Sequence, residues 1–100
     1  MAENPLAHYR ELDPDCVKNV EQMSAFALTD GALPKKVKLL VALALDATHG
    51  AVQGVKSLAL QAIAVGATRA EIAETIRVAC YVNGVSCVYT AAAAFRELDF

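Results

Sequence analysis

Two polar side chains stand close together in the least charged part of the sequence. Asp46 and His49 are three residues apart, and residues at this spacing are neighbours on one side of a helix. A carboxylate in that position can orient an imidazole for proton transfer, which is the task of a general acid or base. A structural interpretation stays open, in which His49 caps the carboxyl end of a helix and Asp46 pairs with Lys56 or with a neighbouring subunit.

The three cysteines do not form an evident reactive group. Cys16, Cys80 and Cys87 are an odd number, which does not suggest a disulfide framework. Cys80 and Cys87 are separated by about 10 Å along a continuous helix, too far for a disulfide, and only a sharp break at Asn83-Gly84 could bring them together. Both occupy apolar faces, where a thiol behaves as a small hydrophobic side chain. We expect them to be structural.

Composition and charge exclude several classes of protein. The 100 residues carry a net charge of −2, and the only basic cluster, at residues 35–38, contains no aromatic residue, so nucleic-acid binding is not expected. The longest apolar run, residues 39–45, is far shorter than the roughly 18 residues that a transmembrane helix needs. The first residues do not resemble a secretion signal. We therefore expect a single cytoplasmic domain over residues 1–100, with residues 1–12 as an N-terminal arm and with no metal ion or cofactor.

Prolines, glycines and apolar spacing divide the chain into helices, and no segment has the alternation of a strand. The capping box at Thr68 and Glu71 is the strongest local signal, since each side chain can bond the other's backbone N–H. The predicted helices cover residues 14–28, about 34–49, 51–65, the segment from Thr68 to Asn83, and 85 to about 98.

The segment from residue 39 to residue 66 is almost free of charge. It contains only Asp46 and Lys56 as charged residues. Two consecutive helices of this kind need apolar neighbours on most sides. Because 56% of the whole chain is hydrophobic, we expect copies of the chain to cover part of this segment.

Three successive features resemble the carboxymuconolactone decarboxylase and alkyl hydroperoxidase D family. Leu-Pro-Lys-Lys at residues 33–36 leads into an alanine-rich helix, a glycine-interrupted helix follows, and Gly-Ala-Thr-x-x-Glu-Ile-x-Glu occupies residues 66–74. The similarity covers roughly residues 5–95. It implies an all-α fold, an alkyl hydroperoxidase D-like helical bundle of about five helices, and an obligate oligomer that is commonly a trimer or a hexamer.

The resemblance also implies where the chemistry of the family would lie. The redox branch carries a glutamate and a Cys-x-x-Cys-x-x-x-His motif. Counting back from Gly66, these positions fall on Leu39, Ala51, Gly54 and Leu58, none of which can carry a proton or attack a peroxide. The histidine that the decarboxylase branch keeps at the position of Leu58 is missing as well. By this comparison the chain is a family member with a cysteine-less site.

If the pocket of the family persists, it lies where the third predicted helix begins, against the last two helices. The polar residues near it would then be Asp46 and His49, as catalytic groups, and Gln53, Lys56 and Tyr81, as ligand-binding groups. For Lys56 a solvated surface position is the alternative to an anion contact.

Three hypotheses about function follow. The leading one is a family member that binds or transforms a small molecule, such as a carboxylate, by non-thiol acid/base chemistry, as a decarboxylase-like lyase if it is active. The second is an alkyl hydroperoxidase-type antioxidant that uses Cys80 or Cys87. The third is a non-catalytic oligomeric scaffold.

Gly54, which costs a helix about 1 kcal/mol relative to alanine, indicates either close helix packing, which we favour, or room for a ligand.

Overall fold

The computed structural model describes residues 4–99, which form helices joined by short turns. Six helices are present among these residues: α1 (Pro5–Tyr9), α2 (Pro14–Leu28), α3 (Lys35–Thr48), α4 (Val52–Ala64), α5 (Arg69–Asn83) and α6 (Ser86–Phe95). The prediction of an all-helical fold is confirmed, with one helix more than the five predicted. Within the described range, none of these helices is long and apolar enough to cross a membrane.

Local signals explain where the helices begin and end. α2 has the predicted bounds, and the Asp13 side chain at its N-cap accepts the N–H of Cys16 at 3.0 Å. α5 begins with the predicted capping box, in which Thr68 and Glu71 exchange bonds of 2.9 and 3.1 Å between side chain and backbone. α3 is one residue shorter at each end than predicted, because the two flanking residues are its caps.

The additional helix, α1, lies in the region predicted as an N-terminal arm. The Asn4 side chain accepts the N–H of Leu6 at 3.0 Å, and Pro5 is the first helical residue. Proline suits this position because its missing N–H would have no partner inside the helix. None of the five residues of α1 is buried, so the helix adds no side chain to the core.

The core lies between the last four helices. α3 packs against α4, α5 and α6, and α6 also packs against α4 and α5. The largest fully buried side chains in this core are Leu39, Leu43, Val55, Ile72 and Cys87. Alanines fill most of the remaining buried positions, so the helix backbones approach one another closely.

The nearly uncharged segment from residue 39 to residue 66 is only partly buried in a single chain. Leu39 and Leu43 of α3 are fully buried, whereas Val41 and Leu45 are 50% and 58% exposed. A helix that is apolar all round keeps an uncovered face when its neighbours surround only part of it. The expected burial is therefore met on the inner face of α3 and is not met on its outer face.

α2 differs from the core helices. It packs against α1 and α3, and its only buried residue is Val17. The other apolar residues that recur along α2 at helical spacing are exposed: Cys16, Val20, Met23 and Ala27. The amphipathic pattern correctly predicts the helix, but a single chain provides no cover for most of its apolar face.

Candidate functional site

The turn between α3 and α4 positions the two predicted catalytic residues. The backbone carbonyl of Asp46 accepts the N–H groups of His49 at 3.1 Å and Ala51 at 3.0 Å. Gly50 has a φ of 70°, a left-handed conformation that glycine adopts without steric cost. This turn returns the chain beside α3 and starts α4 at Val52. Asp46 and His49 therefore lie at the end of α3, next to the first turn of α4.

Gly54 allows the Asp46 side chain to pack against α4. A Cβ atom built on Gly54 would overlap Oδ2 of Asp46 and would lie 3.0 Å from its Cγ. We expected the glycine to permit close helix packing. The approach is indeed close, but the group that occupies the space is a carboxylate rather than a helix backbone or a ligand.

The Asp46 carboxylate and the His49 imidazole make no hydrogen bond or salt bridge with any of residues 4–99. Asp46 is half-buried and His49 is exposed. Gly54 is the third residue of α4, and the N-cap residue Ala51 supplies no side-chain bond to the first turn. The carboxylate is therefore close to the positive end of the α4 dipole, where an anion is favoured. The contact in which the Asp46 carboxylate would orient the imidazole is not formed between the two side chains.

Lys56 does not pair with Asp46. Its Nζ lies 2.5 Å from Oε2 of Glu97, beyond the end of α6. The hydrogen bond from Lys56 lowers the pKa of the Glu97 carboxyl from its ordinary value. The interpretation in which Asp46 is a structural partner of Lys56 is therefore wrong within one chain. Sequence reasoning missed Glu97, because it lies 41 residues from Lys56.

The other two predicted ligand-binding residues lie at the surface. Gln53 is exposed, and Tyr81 of α5 is 90% exposed. Together with Asp46, His49 and Lys56 they do not line the main groove of the structure. Their grouping into one site stays a prediction.

The main groove runs between α5 and α6 and has a volume of about 490 Å³. Its walls are apolar, with Cys80 among them, and Arg69 and Arg77 also line it. The apolar lining includes Ile72, Ile76, Val88, Ala91 and Phe95. Apolar spacing predicts α5 as a helix, but it does not predict the groove that forms between α5 and α6.

The cysteines differ in accessibility. Cys16 is exposed, Cys80 is half-buried in the groove, and Cys87 is fully buried, and all three are free. The turn at Gly84 brings Cys87 back to α5, where its Sγ lies 3.6 Å from the carbonyl oxygen of Ala79. Describing this family member as cysteine-less is therefore wrong in detail, because the chain has three cysteines and lacks a Cys-x-x-Cys pair.

Comparisons with known proteins agree with this architecture. The sequence profile of the carboxymuconolactone decarboxylase family matches residues 14–97. The chain belongs to the carboxymuconolactone decarboxylase family. A solved family protein from Legionella pneumophila, in its apo form, is 31% identical in sequence and superposes with a TM-score of 0.85, over 96% of this chain and 88% of that one. No curated protein matches the sequence significantly.

Within this family scaffold, the positions that the resemblance assigns to redox chemistry are apolar. Leu39 is fully buried, and Leu58 packs partly buried against the core. Ala51 is the N-cap of α4, and Gly54 receives the Asp46 carboxylate. An acidic group thus lies beside the position of the second motif cysteine, but it comes from α3 rather than from α4.

Proposed function

We propose that this member of the carboxymuconolactone decarboxylase family binds a small carboxylate-bearing molecule and transforms it by acid/base chemistry at Asp46 and His49. The observation that supports this proposal most is the Asp46 carboxylate, which lies on Gly54 at the first turn of α4 with no partner among residues 4–99. A half-buried carboxylate without a partner is costly unless it serves a ligand or a neighbouring imidazole.

The two residues would have different roles. His49 is exposed, so its imidazole meets the ligand, and histidine side chains gain and lose protons near neutral pH. In the proposed reaction the Asp46 carboxylate turns toward the imidazole, to which it makes no bond in the structure, and balances its charge when it is protonated. In a decarboxylation, the bond to the carboxylate carbon breaks, its electron pair stays on the remaining carbon, and that carbon takes a proton from the His49 imidazolium. Water then restores the proton on His49.

Carboxymuconolactone is the first probe, because the family is named for its decarboxylation. Release of CO₂ is measured for the unchanged protein and for His49→Gln and Asp46→Asn. We expect each substitution to lower turnover about 100-fold, within the usual range for a lost acid or base. His8→Gln and Asp15→Asn are matched controls at exposed positions outside the turn, and they should keep full turnover. Unchanged turnover in both test variants would contradict the assignment.

A non-catalytic scaffold is the second candidate, because the main groove is not lined by Asp46 or His49. This candidate predicts that carboxymuconolactone neither binds nor reacts. Titration calorimetry with that molecule separates the two functions.

A peroxidase using Cys80 or Cys87 has less support, because Cys87 is fully buried and neither residue belongs to a Cys-x-x-Cys pair. Peroxide reduction that is unchanged in Cys80→Ser/Cys87→Ser would eliminate it.

We also propose that the protein is a homo-oligomer, with a trimer or a hexamer as the expected form. The support is the amount of apolar surface that a single chain leaves exposed, including Val41 and Leu45 of α3, Met23 and Phe26 of α2, and Tyr81 of α5. Surfaces of this kind are typical of subunit interfaces. The mass in solution, measured by light scattering, tests this directly.

A further inference from the structure

We propose that α2 of one copy of the chain occupies the α5–α6 groove of a second copy. This inference rests on the homo-oligomer proposed above and specifies which two different surfaces meet. It joins two features that the fold of a single chain leaves without an explanation. One is an amphipathic helix with an uncovered apolar face, and the other is the apolar groove between α5 and α6.

The apolar stripe of α2 faces away from the core of its own chain. Cys16, Val20, Met23 and Ala27 recur at intervals of three and four residues, and all four are exposed. This is the spacing of a helix that lays one face into a groove. Val17, which points in another direction, already anchors α2 to its own chain. The stripe is therefore available while α2 remains packed.

The lengths of the two surfaces match. The stripe extends over eleven residue steps from Cys16 to Ala27, and the α5 wall of the groove extends over eleven from Arg69 to Cys80. At 1.5 Å per residue both are about 16 Å long. α2 of the same chain is not among the groove walls, which come from α5 and α6 alone. A second copy can therefore place three turns of α2 along the groove.

The charges are complementary. Arg77 and Arg69 line the groove, Arg69 while also donating a hydrogen bond to the Asp99 carbonyl, and no acidic side chain lines it in the part of the chain that the structure describes. The first half of α2 carries Asp15 next to its N-cap residue Asp13, against a single Lys18. An acidic helix entering a groove with basic edges gains favourable contacts as well as apolar burial.

The two surfaces are different, so each contact is heterologous and every copy offers one helix and one groove. Such contacts close into rings when the rotation allows it, which agrees with an expected trimer. This geometry gives a test that does not depend on the size of the ring. Met23→Glu places a charge on the stripe, and Ala73→Glu places one in the groove, where Ala73 is an exposed lining residue. Neither position is in the core, so each variant should fold.

The experiment measures the mass of the full chain by sedimentation velocity. We expect each variant alone to form a smaller species than the unchanged protein. An equimolar mixture should form a species of twice the mass of either variant, because the intact α2 of Ala73→Glu fits the intact groove of Met23→Glu. Gln22→Glu and Ala70→Glu add the same charge to α2 and α5 off the stripe and outside the groove, and they should keep the mass of the unchanged protein. Circular dichroism checks that every variant is helical.

Three outcomes would overturn the inference, and they differ in their consequence for the proposed homo-oligomer. If both variants keep the mass of an oligomeric unchanged protein, these surfaces are not the interface, although the proposed oligomer stands. If both variants form smaller species but their mixture does not form the larger one, the stripe of α2 pairs with a second stripe and the groove with a second groove. The proposed contact between stripe and groove is then wrong. If the unchanged protein is monomeric and a fluorescent long-chain fatty acid binds it but not Ala73→Glu, the groove is a ligand site, and the proposed oligomer fails too. If either variant unfolds, Val20→Glu and Ala92→Glu, at exposed positions on the stripe and in the groove, replace it.

Discussion

α2 has 15 residues and α4 has 13, and each has an apolar face, but the two faces differ in how much of them a single chain buries. α4 buries Val55, Ala59 and Ala62 completely. α2 buries Val17 and leaves the rest of its face exposed. Apolar spacing therefore predicts that a helix has a face to cover, but it does not predict whether the cover comes from the same chain.

The largest expected effect uses the same substitution in both helices. Val55→Ala removes two buried methyl groups from α4 and should lower the free energy of unfolding by about 2 kcal/mol. Val20→Ala changes a residue that is 42% exposed in one chain, and should cost about 0.5 kcal/mol or less when the protein is dilute. Urea unfolding at two protein concentrations measures both.

The costs of the two substitutions should depend differently on protein concentration. If another copy covers α2, the cost of Val20→Ala should increase with protein concentration, because assembly then contributes to stability. The cost of Val55→Ala should change little. Equal costs for the two substitutions in dilute solution would mean that the face of α2 is covered within one chain after all.

The same distinction explains how much the sequence could reveal. The bounds of α2 and the capping box at Thr68 follow from local chemistry, so they were predictable. Spacing also predicted that Asp46 and His49 lie near each other at the end of α3, but no bond joins their side chains, and their grouping into one site stays a prediction. The contact of Asp46 with Gly54 depends on how α3 and α4 pack, and the Lys56–Glu97 pair joins residues 41 positions apart. Spacing along the chain contains no information about contacts of this kind.

A second prediction tests the contact through which α3 touches α4. Gly54→Ala should gain about 1 kcal/mol of helix stability but should also displace the Asp46 carboxylate, at a cost of about 1 kcal/mol for an unfavourable side-chain rotamer. The net change in stability should therefore be near zero. In an Asp46→Ala background the cost disappears, and Gly54→Ala should stabilise the protein by about 1 kcal/mol.

Measuring turnover as well as stability for Gly54→Ala separates its effect on packing from its effect on function. Under the proposed function, Gly54→Ala alone should lower turnover while the free energy of unfolding stays the same, because it displaces the Asp46 carboxylate that the proposed reaction uses. Identical effects of Gly54→Ala on stability in the two backgrounds would show that the glycine and Asp46 are not coupled.

The smallest expected effect concerns the charged contacts that hold the core helices at their ends. The pKa of Glu71 is lowered by the hydrogen bond from Lys36 of α3 and, next, by the backbone N–H of Thr68. A lowered pKa means that the folded chain favours the charged carboxyl more than the unfolded chain does. This contribution is present above the ordinary value of 4.5 and is lost as the pH falls through the lowered value.

Glu71→Gln should therefore flatten the decrease in stability between about pH 5 and pH 3, while losing part of the capping box at neutral pH. Glu97→Gln removes a single contact, from Lys56, and should flatten the decrease less. Thermal unfolding of the three proteins across this pH range measures the difference. Glu71 caps the start of α5 and pairs with Lys36 of α3, whereas Glu97 lies beyond α6. If Glu97→Gln changes the pH dependence of stability as much as Glu71→Gln or more, the ends of the bundle are not held mainly at Glu71.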